Sequence, residues 1–168
     1  MSALSINISN LSEGVHQRTL EALPEEVGLD GRFSESTVVS AMLEKTSRQL
    51  YLRAEFKTGG MFTCDRCLEE FRKELAGKFQ IVYVNDERAQ AGIEDEEVQL
   101  LSPEANTVDL TEDVRQFITL AFPQKMLCKE DCAGLCTVCG GNRNLALCDC
   151  EVEEADPRWD GLKKLLGD

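Results

Sequence analysis

The sequence predicts an α+β protein: an antiparallel β-meander, then a helix, a cysteine-rich knuckle and a short C-terminal helix. Three observations predict it. Apolar and polar residues alternate with period two through much of Val38 to Val84, the pattern of strands with one buried face. Apolar residues then recur at helical spacing from Leu110 to Ala121. Beyond Pro123, six of the chain's eight cysteines fall between Cys128 and Cys150. The expected organisation is a β-rich domain over residues 1–122 with one helix at its end, followed by a metal-binding segment over 123–168 that carries the tail helix.

Each element has its own signal. Leu4, Ile6 and Ile8 alternate with polar neighbours and predict a short opening strand. Val38–Lys45 leads through a turn at 46–48 into Gln49–Lys57, where Leu50, Leu52, Ala54 and Phe56 face one way and Tyr51, Arg53, Glu55 and Lys57 the other. Gly59-Gly60 predicts a turn into Met61–Cys64. Phe71, Leu75, Phe79, Ile81 and Tyr83 share one parity, with Gly77 as an expected bulge or bend. This meander places Cys64-Asp65-Arg66-Cys67 at a strand end or hairpin tip. The acidic stretch 86–97 lacks periodicity and reads as a solvated loop. A short strand follows at Val98–Leu101, and Asp109 with Glu112 forms a D-x-x-E capping pattern that opens the helix. Asp156-Pro157 opens the tail helix, with Trp159, Leu162, Leu165 and Leu166 on one face.

The cysteines carry the chemistry. They read Cys64-x2-Cys67, then Cys128-x3-Cys132-x3-Cys136-x2-Cys139-x8-Cys148-x-Cys150. Two- and three-residue gaps let neighbouring thiolates converge on one centre, and zinc is the metal that most often takes an all-sulfur tetrahedral site. An even cysteine number also admits disulfides. Disulfide scaffolds, however, are short and secreted, and the N-terminus shows neither a basic region nor an apolar stretch of signal type. An iron–sulfur cluster uses the same ligands. Cys136, Cys139, Cys148 and Cys150 are the expected metal site; Cys64, Cys67, Cys128 and Cys132 fit the count for a second, or stay free.

Composition narrows the function. The formal charge is −13, and each zinc held by four thiolates adds two further negative charges. Such a chain repels nucleic-acid phosphate unless its cations are segregated, and here the longest basic runs are Arg72-Lys73 and Lys163-Lys164. A basic protein partner is the easier electrostatic match. No apolar run approaches the roughly 20 residues that span a bilayer, so the expectation is a cytoplasmic protein without membrane contact. His16 is the lone histidine, and no phosphate-binding loop or nucleophile elbow occurs. No enzyme activity and no small-molecule substrate are expected. A thiol redox switch or oxidoreductase using the Cys-x2-Cys and Cys-x-Cys pairs is the alternative.

Cys64-Asp65-Arg66-Cys67-Leu68, Asp109-Leu110, Leu127-Cys128, Cys132-Ala133-Gly134-Leu135-Cys136, Cys139-Gly140-Gly141-Asn142, Cys148-Asp149-Cys150 and Asp156-Pro157-Arg158-Trp159 occur in this order. In this the chain resembles the bacterial and plastid YceD family. The resemblance implies a metal-binding factor supporting accumulation of large-subunit ribosomal RNA, without established enzyme activity. It also implies a ribosomal protein or a pre-ribosomal RNA–protein complex as partner, with direct RNA contact left open. Arg66, between two cysteines at the expected loop tip, reads first as a solvated arginine and is the candidate to meet a partner's phosphate or carboxylate. Two positions depart from the family pattern: Thr137 stands where proline is common, and Asn142-Arg143-Asn144 where N-L-N is common.

Overall fold

The computed structural model describes residues 2–47, 49–85, 97–102 and 104–151. Chain order is β1 (Ser5–Asn7), β2 (Gly14–Ala22), α1 (Pro24–Val27), β3 (Thr37–Lys45), β4 (Gln49–Thr63), β5 (Glu70–Val84), β6 (Glu97–Leu100), β7 (Thr107–Asp109) and α2 (Thr111–Leu120). Five strands form one sheet in the order β2-β3-β4-β5-β6, and β1 pairs with β7 in a separate two-stranded sheet. The tail-helix expectation and most of the acidic loop lie outside the described residues. Among the described residues no helix is long and apolar enough to cross a membrane.

The long hairpin β4–β5 is the backbone of the fold. Its register runs unbroken from Gln49↔Val84 to Thr63↔Glu70, so the six residues Cys64 to Glu69 are left as its loop. Alternation buries Leu50, Leu52, Ala54, Phe56, Leu75, Phe79 and Ile81 on one face. Against that face pack Ile6, Val108, Leu110, Val114 and Ile118 from the small sheet and α2. Phe79 and Phe117 stack with centroids 4.6 Å apart. Near the hairpin loop Phe33, Phe62 and Phe122 meet edge to face at 5.5 to 6.0 Å, a geometry in which the electropositive ring edge meets an electronegative face.

Four local expectations are corrected. Gly59-Gly60 makes no turn; β4 continues through it, because the backbone of residues 32–35 crosses there. The Met61 N–H donates to the Arg32 carbonyl at 2.9 Å, and Phe33 bridges to Gly60. A Cβ on Gly60 would stand 2.1 Å from the Arg32 carbonyl oxygen. Gly60→Ala is therefore expected to cost on the order of 3 kcal/mol through displaced backbone, measurable by denaturant unfolding. Gly77 makes no bulge: it pairs in register with Phe56, whose ring occupies the place of its missing side chain and would lie 2.6 Å from a Cβ there. β6 joins the sheet parallel to β5, so the sheet is mixed and extends past the meander. The helix N-cap falls on Leu110, with no side-chain cap. Asp109 remains in β7 and its carboxylate accepts the Thr111 N–H at 3.0 Å, while Glu112 pairs with Arg115.

β2 has no signal in the sequence because it is an edge strand. Of its nine residues only Ala22 is buried, so it carries little apolar alternation to detect. His16 lies on it, its ring nitrogen 2.9 Å from the Ser12 carbonyl.

Candidate metal centres

The two Cys-x2-Cys pairs fold into the same backbone knuckle. In the first, the Leu68 N–H donates to the Cys64 carbonyl at 2.9 Å and the Cys64 N–H donates to the Glu69 carbonyl at 2.9 Å. In the second, the Gly140 N–H donates to the Cys136 carbonyl at 2.9 Å and the Cys136 N–H to the Gly141 carbonyl at 2.8 Å. The turn requires a left-handed residue after the second cysteine. Gly140 supplies it at φ 72° and Leu68 at φ 61°. A side chain at Gly140 would meet nothing within 4 Å, so its cost is conformational alone. Gly140→Ala is expected to lose about 1 kcal/mol, seen as weaker protection of residues 136–141 from hydrogen exchange.

The first knuckle is the hairpin loop itself, and the segment after Pro123 is clamped to it. The Met126 N–H donates to the Asp65 carboxylate at 2.6 Å, and the Asp65 N–H donates back to the Met126 carbonyl at 2.8 Å. Removing that acceptor in Asp65→Ala leaves a part-buried N–H unpaired. The expected loss is about 1–3 kcal/mol in chemical unfolding. Arg66 donates through Nη1 to the Cys132 carbonyl at 3.0 Å, and its own carbonyl accepts the Leu135 N–H at 3.1 Å. The candidate arginine is thus exposed at the tip but tied to the cysteine segment.

These links bring Cys64, Cys67, Cys128 and Cys132 together, and Cys136, Cys139, Cys148 and Cys150 form a second group. Within each group the sulfurs lie within 4.8 Å of one another. All eight cysteines are free thiols. Sγ–Sγ separations of 3.8 Å for Cys64–Cys132 and 3.7 Å for Cys67–Cys128 far exceed a disulfide bond of about 2.05 Å. They match the edges, about 3.8 Å, of a tetrahedron with metal–sulfur bonds of about 2.3 Å. The first donor set therefore fits a tetrahedral metal ion, and the second, its sulfurs within 4.8 Å of one another, is able to hold one as well. Four sulfurs fill such a shell and leave no position for water, which makes each set suited to a structural ion and unsuited to hydrolysis.

Electrostatics points the same way. Burial pushes the Cys64 thiol up, but the N–H groups of Cys128, Cys67 and Arg66 aimed at its sulfur outweigh this and hold it at about 6. The N–H groups of Cys139 and Val138 bring Cys136 down to about 6. At the other extreme Cys128, through burial and the sulfurs of Cys132, Cys67 and Cys64, is pushed up to about 12. Cys150 is pushed up to about 12 first by Cys139 and then by burial. The first group thus has two thiols shifted toward thiolate, Cys64 and Cys132, and two shifted the other way, Cys67 and Cys128; the second has Cys136 shifted toward thiolate and Cys148 and Cys150 shifted away from it. A divalent cation relieves the crowding of sulfurs, and its binding expels the remaining protons.

Two asparagines that no cysteine spacing singles out join the two groups. Asn144 Nδ2 donates to Cys132 Sγ at 3.3 Å while its Oδ1 accepts the Ala133 N–H at 2.9 Å. Asn142 Oδ1 accepts from the Asn144 N–H and side chain, and Asn142 Nδ2 reaches Glu69 at 3.3 Å. The available signal is the N-x-N spacing inside the gap between Cys139 and Cys148. A loop spanning one ligand set there docks on the other.

Fold and site together define a small mixed-sheet protein with two four-cysteine groups, each able to hold a metal ion. The family model described as "Large ribosomal RNA subunit accumulation protein YceD" matches residues 52–166, which takes in all eight cysteines, and the chain belongs to that family. An Arabidopsis thaliana chloroplast protein named "Large ribosomal RNA subunit accumulation protein YCED homolog 1" is 33% identical over 63 residues, 38% of this chain and 20% of that protein. An uncharacterized Mycobacterium bovis protein is 30% identical over 116 residues, 62% of this chain and 49% of its own length. A Mycobacterium tuberculosis protein gives the same figures. The chain spans about half the length, or less, of these curated relatives. No solved structure matches it.

Proposed function

We propose that this protein is a non-catalytic factor supporting large-subunit ribosomal RNA accumulation, and that its cysteines hold structural zinc. The observation that carries the reading is the family match over residues 52–166, which takes in the β4–β5 hairpin from its fourth residue onward and both cysteine groups. Zinc is favoured over other ions because both donor sets are all sulfur and closed. The first 122 residues act as a sheet platform and 123–168 as the metal-binding segment, of which Met126 to Leu135 cap the hairpin loop.

A net charge of −13 supports contact with a basic ribosomal protein, or with the protein component of a pre-ribosomal complex, over direct grip on RNA phosphate. The compartment we propose is the cytoplasm. The test is depletion of the protein in its own cell, followed by quantification of mature large- and small-subunit ribosomal RNA. The large-to-small ratio is expected to fall and to recover with the wild-type chain. An unchanged ratio contradicts the proposal.

A further inference from the structure

Both ligand sets are four sulfurs within 4.8 Å of one another, but they differ in their access to solvent. In the group on the hairpin loop, Cys64, Cys67 and Cys132 are only 0%, 4% and 2% exposed, and Cys128 alone is partly exposed. In the group beyond it, Cys139 and Cys148 are exposed and Cys150 is partly so, leaving Cys136 as the lone buried member. Thiolate oxidation requires the oxidant to reach sulfur. A buried sulfur meets it only during local opening, so equal chemistry at unequal depth gives unequal rates.

The geometry points to the outer group, Cys136, Cys139, Cys148 and Cys150, as a hydroperoxide-sensitive metal-release site in which Cys139 and Cys148 are the reacting pair. This rests on the reading of both groups as metal centres. One exposed thiolate attacks a peroxide oxygen; the O–O bond breaks, a sulfenic acid forms, and the remaining oxygen leaves as alcohol or water after taking a proton. The second thiolate attacks the sulfenic sulfur, forming the S–S bond and expelling hydroxide, which takes a proton to become water. Two electrons pass from the two thiolates to one hydroperoxide. Two of four ligands are lost to the disulfide, and the metal leaves as a divalent cation.

The consequence is confined by the asparagine link. Asn144 holds the 140–147 loop to Cys132 Sγ and to the Ala133 N–H, and the Arg143 N–H donates to the Gly134 carbonyl at 2.9 Å. None of these bonds depends on the outer metal directly. The loop therefore stays anchored at its middle while its ligand ends rearrange, and a thiol reductant restores the site.

The test uses the full chain loaded with zinc and hydrogen peroxide as the oxidant. Released zinc is followed with a chromogenic chelator, and cysteine states are mapped by differential alkylation and mass spectrometry. The expected result is one zinc equivalent leaving about tenfold or more faster than the other, with a Cys139–Cys148 disulfide and Cys64, Cys67, Cys128 and Cys132 still reduced. Reductant then permits rebinding. Simultaneous release of both equivalents, earlier oxidation of the inner group, a disulfide elsewhere, or no release before unfolding overturns the proposal. Protein that carries no zinc at the outset contradicts the metal reading instead. Metal release falls with it, and the alkylation map then decides the reacting pair alone: preferential oxidation of Cys139 and Cys148 sustains that assignment, and uniform oxidation rejects it.

Discussion

Cys64→Ser is expected to cost this protein on the order of 4 kcal/mol or more and to lower its Tm by roughly 8–16 °C. Cys64 is fully buried, and its sulfur also accepts the Cys128 N–H at 3.4 Å. A hydroxyl there holds a metal poorly, and loss of the ion leaves the remaining buried sulfurs crowded without a cation. The segment from Met126 to Leu135 is then held to the hairpin loop by its hydrogen bonds to Asp65 and Arg66. Metal analysis of the variant should find one ion fewer per chain, the outer group retaining its own. Thermal melting beside wild type checks the stability term; a variant with full metal content and an unshifted Tm would rule out the inner centre.

The second large effect is local. Cys136→Ala should likewise cost one metal ion, but the unfolding it causes should stop at the arm. Cys136 anchors the second knuckle through its N–H to Gly141 and its carbonyl from Gly140, and its thiol is held at about 6 by the N–H groups around it. Without that ligand, residues 136–151 lose the ion that ties their two ends together. Hydrogen exchange should accelerate by about tenfold or more at the ligand ends of that span, 136–139 and 148–151, on either side of the loop anchored by Asn144. The amides of β4 and β5, held by an unbroken ladder, should exchange as in wild type. Exchange unchanged in 136–151 would contradict the outer centre, and exchange accelerated throughout would contradict its independence from the sheet.

Much of this is legible in the sequence, and what is not has physical causes. Strands with one buried face announce themselves by alternation, so β3, β4 and β5 and the Leu110–Ala121 stripe can be read directly. β2 cannot, since an edge strand exposed on most of its length has no alternation to show. Gly59-Gly60 misleads because glycine pairs mark turns and also close backbone crossings, and only the position of Arg32 separates the two. Gly77 poses the same ambiguity, resolved by the Phe56 ring. The division of the cysteines into two groups is legible as a count. Pairing Cys64 and Cys67 with residues some sixty positions later depends on the Asp65–Met126 clamp, which no local pattern encodes. Leu68 in a left-handed conformation is likewise hidden, because its counterpart in the second knuckle is a glycine and the two loops look unlike in sequence.

The central claim is that eight thiols make two closed metal centres. Native mass spectrometry of the full chain purified under reducing conditions, with elemental analysis of the same sample, tests it most directly. Two zinc ions per chain are expected, with all eight cysteines resistant to alkylation until a chelator is added. A chain that carries no metal, with its cysteines freely alkylated or joined in disulfides, would contradict it.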